Sequence, residues 1–227
     1  MTDVTSQPWV EAALFGHSRT IHEYVRDVLR RAILGGDLPS GSRLVQADIA
    51  RQLDVSTTPV REALRDLSSE GLISLEARRG GIVRALDVAD LAEIRALRTV
   101  LEPMSLRRAV QRIDRAQLLA LEDLHRRMVE EQDLGTWLDL NRRFHRLHHK
   151  AAQSPRLWSM VTGLQDASAL HVGHAVRANP EMRGQAEADH KAIIGALRAR
   201  DPVELERLIL AHIQMPSHPP QGGRASE

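Results

Sequence analysis

Residues 141–149 read NRRFHRLHH, which places three histidines and an asparagine within nine positions. Neutral imidazole is the commonest metal ligand and also a general base. On a helix Asn141 and His145 lie four apart, sharing a face with Trp137 and Leu138 before them and His148 after them. His149 falls nearer the edge of that face. Further on, His190 lies on the apolar stripe of Ile193, Ile194 and Leu197, and His212 on that of Leu205, Leu208 and Ile209. Three helices thus each turn a histidine from the apolar side toward a common interior, the way bundles assemble metal sites. Taken singly, each is equally a core histidine satisfied by a neighbouring carbonyl. His171 and His174 stand three apart in HVGH, as the lining of a ligand cavity or as a polar helix face. Arg98 suits bidentate pairing with a ligand carboxylate, or an intra-helix pair with Glu102.

The elements that must position these groups are nearly all helical. Apolar positions Ile21, Val25, Val28, Leu29 and Ile33 predict a first helix, which Ser18 can cap and Gly35-Gly36 stop. A short helix carries Ile49, Ala50 and Leu53, and Asp54-Val55 makes a turn. Ser56 then caps a longer helix, with Pro59 in its first turn and Gly71 at its end. LISLE and GIVRA flank Arg78, Arg79, Gly80 and Gly81, which predicts a small hairpin. From Asp87 the period is helical again, over about 88–110, 114–131, 136–152, 155–177, 181–200 and 202–215. Asp114, Ser154 and Asp201 are candidate caps, the last two followed by proline at the first helical position. The expected fold is mainly α: a winged helix-turn-helix domain at 18–86, a joint near 84–89, and a six- to seven-helix antiparallel bundle at 88–215. Residues 1–17 read as a flexible arm and 216–227 as a disordered tail.

In VQADIARQLDVSTTPVREALRDLSSEGLI the first helix braces a second whose amino-terminal turn can enter a major groove. Ser56, Thr57, Thr58 and Arg61 lie on that turn, and Arg65 one turn further along the same face. They suit phosphate and base-edge contacts. Arg78 and Arg79 would reach an adjacent minor groove from the hairpin tip. The alternative is a structural three-helix unit with solvated arginines.

Composition sets limits on both readings. The 227 residues carry a formal net charge of +1, with 3% aromatics and no cysteine. Helix cores must then come from Leu, Ile, Val and Ala, while disulfides and thiolate metal sites are excluded. No stretch of about 18 apolar residues could span a membrane, and MTDVTSQPWVEAALFGH lacks the pattern of a secretory leader, so a cytoplasmic protein is expected. The first 86 residues hold 11 basic and 11 acidic side chains. Any nucleic-acid interface therefore depends on where the arginines sit.

STTPVREALRDLSSEGLI followed by RRGGIVRAL resembles the winged-helix reader of the GntR family of bacterial transcription regulators. The helical half resembles that family's FadR-type effector domain, often called FCD, so that the resemblance covers about residues 18–215. It implies a ligand-responsive regulator, of the repressor type, that binds a palindromic operator as a homodimer and takes a small organic acid. It also implies a divalent metal held at positions matching Asn141, His145, His190 and His212. Asn141 replaces the family's aspartate, which leaves a neutral ligand set suited to zinc or nickel and exposes the ion's charge to an anion. Arg98, His148 and His174 complete the expected effector contacts, and His148 and His149 are both read as surface or pocket-lining residues. Thr57 and Ala47 stand where the family usually has DNA-contacting arginine or a related polar residue, so the usual operator sequence does not carry over. The competing class is a metal-dependent hydrolase with a three-histidine ion activating water. That class gives the helix-turn-helix no task and lacks a placed general base.

Overall fold

The computed structural model describes residues 20–76, 80–85 and 87–214. The predicted arm at 1–17, the cap Ser18, the hairpin-tip residues Arg78 and Arg79, and the tail at 216–227 lie outside the described residues. The chain divides into two compact units, Met1–Leu86 and Asp87–Glu227.

In the first unit, α1 (Ile21–Gly35) buries Val25, Val28, Leu29, Ala32 and Ile33 on one face. Its cap is Thr20, in a reciprocal box with Glu23, and not Ser18. The threonine accepts a free first-turn N–H while the glutamate accepts the cap's own amide, which fixes the helix start two residues after the expected one. α2 (Gln46–Gln52) and α3 (Thr57–Ser69) follow, joined through Asp54 in the left-handed region at φ +51°. Val60, Ala63, Leu64 and Leu67 of α3 pack toward α1 and α2. Between α1 and α3 the buried Arg30 donates to Asp27 at 2.7 Å and to Glu70 through two nitrogens. Its charge is therefore matched on both sides, which a buried guanidinium requires.

The predicted hairpin gains a third strand. β1 (Arg43–Leu44), β2 (Ile73–Glu76) and β3 (Gly80–Val83) form an antiparallel sheet in the order β1-β3-β2. Two residues are too few for an alternating pattern, so β1 carries no periodic signal. Gly80 has φ +108°, and a Cβ there would lie 1.9 Å from the Leu44 carbonyl oxygen. Only glycine permits both that backbone and that approach.

The second unit contains, among the described residues, α4 (Val88–Arg112), α5 (Arg115–Glu130), α6 (Leu134–Lys150), α7 (Pro155–Ala178), α8 (Glu181–Ala199) and α9 (Pro202–Ile213). Asp87, Asp114, Asp133 and Asp201 each accept first-turn amides, whereas Ser154 makes no such bond. Asp133 starts α6 two residues earlier than its period suggested. α4 packs on α6, α7 and α9, and α8 packs on α5, α7 and α9. Arg200 donates to the carbonyls of Val110, Gln111 and Ile113, closing the carboxy-terminal end of α4.

Candidate metal centre and nucleic-acid interface

In the first unit Ser56, Thr57, Thr58, Arg61 and Arg65 are all exposed on or just before α3. The opposite face of that helix is the buried one, so the core places these side chains outward. Ser56 is the cap residue by position, yet its side chain makes no capping hydrogen bond. Two neighbouring arginines are engaged locally, Arg43 with Glu76 across the sheet and Arg51 with Asp48.

In the second unit His145 of α6, His190 of α8 and His212 of α9 each offer a ring nitrogen, and these atoms lie within 4.8 Å of one another. His145 Nε2 and His212 Nε2 are 3.3 Å apart. His212 Nδ1 lies 3.0 Å from Asp189 Oδ2, and His145 Nδ1 lies 3.1 Å from His148 Nε2. His190 is fully buried and neither ring nitrogen has a hydrogen-bond partner. Phe144 walls the cluster, its ring 4.5 Å from His190 and 5.6 Å from His145. Burial, reinforced by mutual repulsion, pushes His145, His148 and His190 well below the ordinary imidazole range. They are held neutral, the form that can donate a lone pair to a cation.

Helix register around the cluster is set from a distance. Trp137 Nε1 donates to Glu187 at 2.9 Å, and Arg183 both pairs with Glu187 and stacks over the Trp137 ring. This contact joins the start of α6 to α8, the helices that carry His145 and His190. Asn141 lies one turn before His145 on α6 and is half-buried.

Two expectations are corrected. His149 is no surface residue: it is fully buried, with Nδ1 2.9 Å from Ser105 Oγ and Nε2 3.4 Å from Glu102 Oε2. His148 is likewise fully buried, and it faces His145. Phe144 and Leu140, flanking apolar residues, widen the buried arc of α6 beyond the stripe that the period defines. Arg98 is buried and already engaged, donating to Glu102 at 2.6 Å and to Ser168 at 3.2 Å. Burial would raise Glu102, but the Arg98 guanidinium beside it, with His149 nearby, outweighs burial and holds the carboxyl far below its usual range. His174 is exposed on α7, whereas His171 on the same helix is buried and donates from Nε2 to the Asp87 carbonyl at 3.0 Å. Sequence reasoning passed over Asp189, Ser105 and the Glu102–His149 contact. Adjacency to His190 was the available signal for Asp189.

A helix-turn-helix with a small sheet, followed along the chain by a helical bundle with a buried polar centre, defines the class of DNA-binding transcription regulators. Residues 21–83 match the family described as bacterial regulatory proteins, gntR family, and residues 93–215 match the FCD domain. The chain belongs to the GntR family, in its FCD-containing branch. It is 27% identical to the HTH-type transcriptional repressor RspR of Escherichia coli, over 87% of each chain. It is 30% identical to the Nta operon transcriptional regulator of Aminobacter aminovorans, over 77% of this chain and 82% of that one. The solved structure of E. coli McbR/YncC superposes with a TM-score of 0.72 at 25% identity, covering 87% of this chain and 95% of that one. These matches lend the hydrolase reading no support. No helix among the described residues is long and apolar enough to cross a membrane.

Proposed function

We infer that this GntR-family regulator is a repressor whose helical unit binds a small organic acid at a divalent-metal centre, and that its winged unit reads a palindromic operator from a homodimer. The observation that carries the metal reading is the triad itself. Two Nε2 atoms converge at 3.3 Å, and a fully buried third imidazole has no partner on either nitrogen. Buried polar atoms without partners are costly, and a shared cation satisfies all three rings at once. His145, His190 and His212 would hold the ion, with Asn141 as a neutral fourth donor, and zinc or nickel suits such a set. When bound, the ion supplies a positive centre to which a carboxylate oxygen can coordinate. Arg98, locked to Glu102, forms part of the surrounding polar wall with His148.

Ser56, Thr57, Thr58, Arg61 and Arg65 would make the operator contacts, and the uncapped first turn of α3 favours a phosphate. Leu97, Val100 and Met104 form an exposed apolar stripe at helical spacing on α4, which supports self-association of the bundle. RspR is named a repressor, and that sense is carried over here.

The test is retardation of the gene's own upstream DNA by untagged protein, with and without zinc, nickel and a panel of organic acids. Elemental analysis and sedimentation are run on the same preparation. A monomeric protein, or one that retards no fragment under any condition, overturns this reading.

A further inference from the structure

Two residues outside the triad contact the Nδ1 atoms of two of its rings, those of His212 and His145. Asp189 adjoins His190 on α8, and its Oδ2 lies 3.0 Å from His212 Nδ1 on α9. Its other oxygen accepts from Gln185 Nε2 at 2.9 Å, one turn earlier on α8. A carboxylate only accepts, so the His212 proton is drawn to Nδ1 and Nε2 is left as a lone pair. On α6, His145 Nδ1 faces His148 Nε2 at 3.1 Å, while His148 Nδ1 has no hydrogen-bond partner. His148 is therefore free to donate to His145 or to accept from it.

Resting on the reading of the triad as a metal centre, we propose that Asp189 and His148 are positioning residues with different tasks. Asp189 locks His212 with its Nε2 open, and His148 lets His145 exchange an Nε2–H for an Nε2 lone pair. In ion-free protein His148 Nε2–H donates to His145 Nδ1, His145 Nε2–H donates to His212 Nε2, and His212 Nδ1–H donates to Asp189. The hydrogen bonds then run in one direction from His148 to Asp189, with only His148 Nδ1 left without a partner. To serve an ion, His145 carries its proton on Nδ1 and donates it to His148 Nε2, and His148 carries its own on Nδ1. Each ring loses one proton and gains one, so both remain neutral and none is released. Orienting partners of this kind are worth about 10–100-fold in metal affinity.

The experiment is ring-nitrogen NMR of 15N-histidine-labelled full-length protein at about pH 8, before and after zinc. Zinc affinity is measured in parallel by competition with a chromophoric chelator. In wild type, His212 should show Nδ1–H in both states, while His145 changes from Nε2–H to Nδ1–H. Asp189→Leu should lose the His212 preference and weaken zinc binding about 10–100-fold. Asp189→Asn keeps an oxygen acceptor, so it should retain the tautomer and lose less affinity. His148→Phe should leave His145 fixed in one form and also weaken binding. Unchanged zinc affinity in Asp189→Asn and Asp189→Leu, or a His212 that carries Nε2–H in wild type, overturns the proposal. If wild type takes up neither zinc nor nickel, the metal reading falls. The ion-free spectra still decide whether Asp189 fixes His212.

Discussion

Arg61 and His145 occupy opposite kinds of environment, and each suggests its own experiment. Arg61 is exposed on the outward face of α3, where truncation removes no core contact. Arg61→Ala should abolish specific operator retardation while circular dichroism and sedimentation remain those of wild type. A good bidentate base contact is worth about 1–3 kcal/mol. His145 is buried among His148, His190 and His212. His145→Ala and His212→Ala should each eliminate the rise in melting temperature that zinc or nickel gives wild type, since only a bound ligand stabilises by mass action. Asn141→Asp should tighten ion retention by restoring a negative ligand. Acid supplies a separate test in ion-free protein. His145, His148 and His190 have folded-state pKa values well below 6.5, so below about pH 6.5 the unfolded chain binds protons that the native state refuses. Stability should be flat above that pH and fall below it, by up to about 1.4 kcal/mol per pH unit for each ring. Urea midpoints at about pH 8 and about pH 5.5 check the sign, and His190→Phe should flatten the slope.

Elements show which physical signals a sequence carries. The helices of the bundle were legible because their apolar stripes follow a period of 3.6, to which α4, α5, α6 and α9 add an aspartate cap. Asp114, Asp201 and their neighbours act where their types and positions suggested. His145, His190 and His212 were legible as a convergent set for the same reason, since each interrupts such a stripe. β1 was not legible, because its two residues pair with β3 through backbone groups that have no residue signature. The buried state of His148 and His149 was also hidden. It depends on Ser105 and Glu102 arriving from α4, a contact forty-odd residues away in sequence. The sheet invites a test of its own. Gly80→Ala puts a methyl against the Leu44 carbonyl at a positive φ, so the β1–β3 pairing must break. The left-handed backbone alone costs about 1–2 kcal/mol, before the clash. The variant should lose operator binding and unfold its first unit earlier, yet keep the zinc-dependent stabilisation of the second. Unaltered operator affinity would mean the sheet plays no part in reading DNA.

At the scale of the whole molecule, the proposed function requires that an organic acid bound in the second unit change operator binding by the first. Thermodynamic linkage makes that requirement measurable without knowing the route. If an organic acid changes operator affinity by some factor, saturating operator must change the affinity for that acid by the same factor. Couplings of this type run about 5–150-fold, well within the range of titration. The buried triad creates a rival explanation, because many organic acids chelate zinc or nickel and could act by removing the ion. The two routes differ in one respect. An acid bound at the centre stays with the protein, obeys reciprocity, and loses its effect in His145→Ala together with the ion. A chelating acid leaves with the ion, violates reciprocity, and is reversed by excess zinc. The expected result is equal factors in the two directions, measured by retardation with increasing acid and by calorimetric titration of acid with and without operator. Unequal factors, together with recovery on adding zinc, would assign the response to ion loss and remove the acid from the centre.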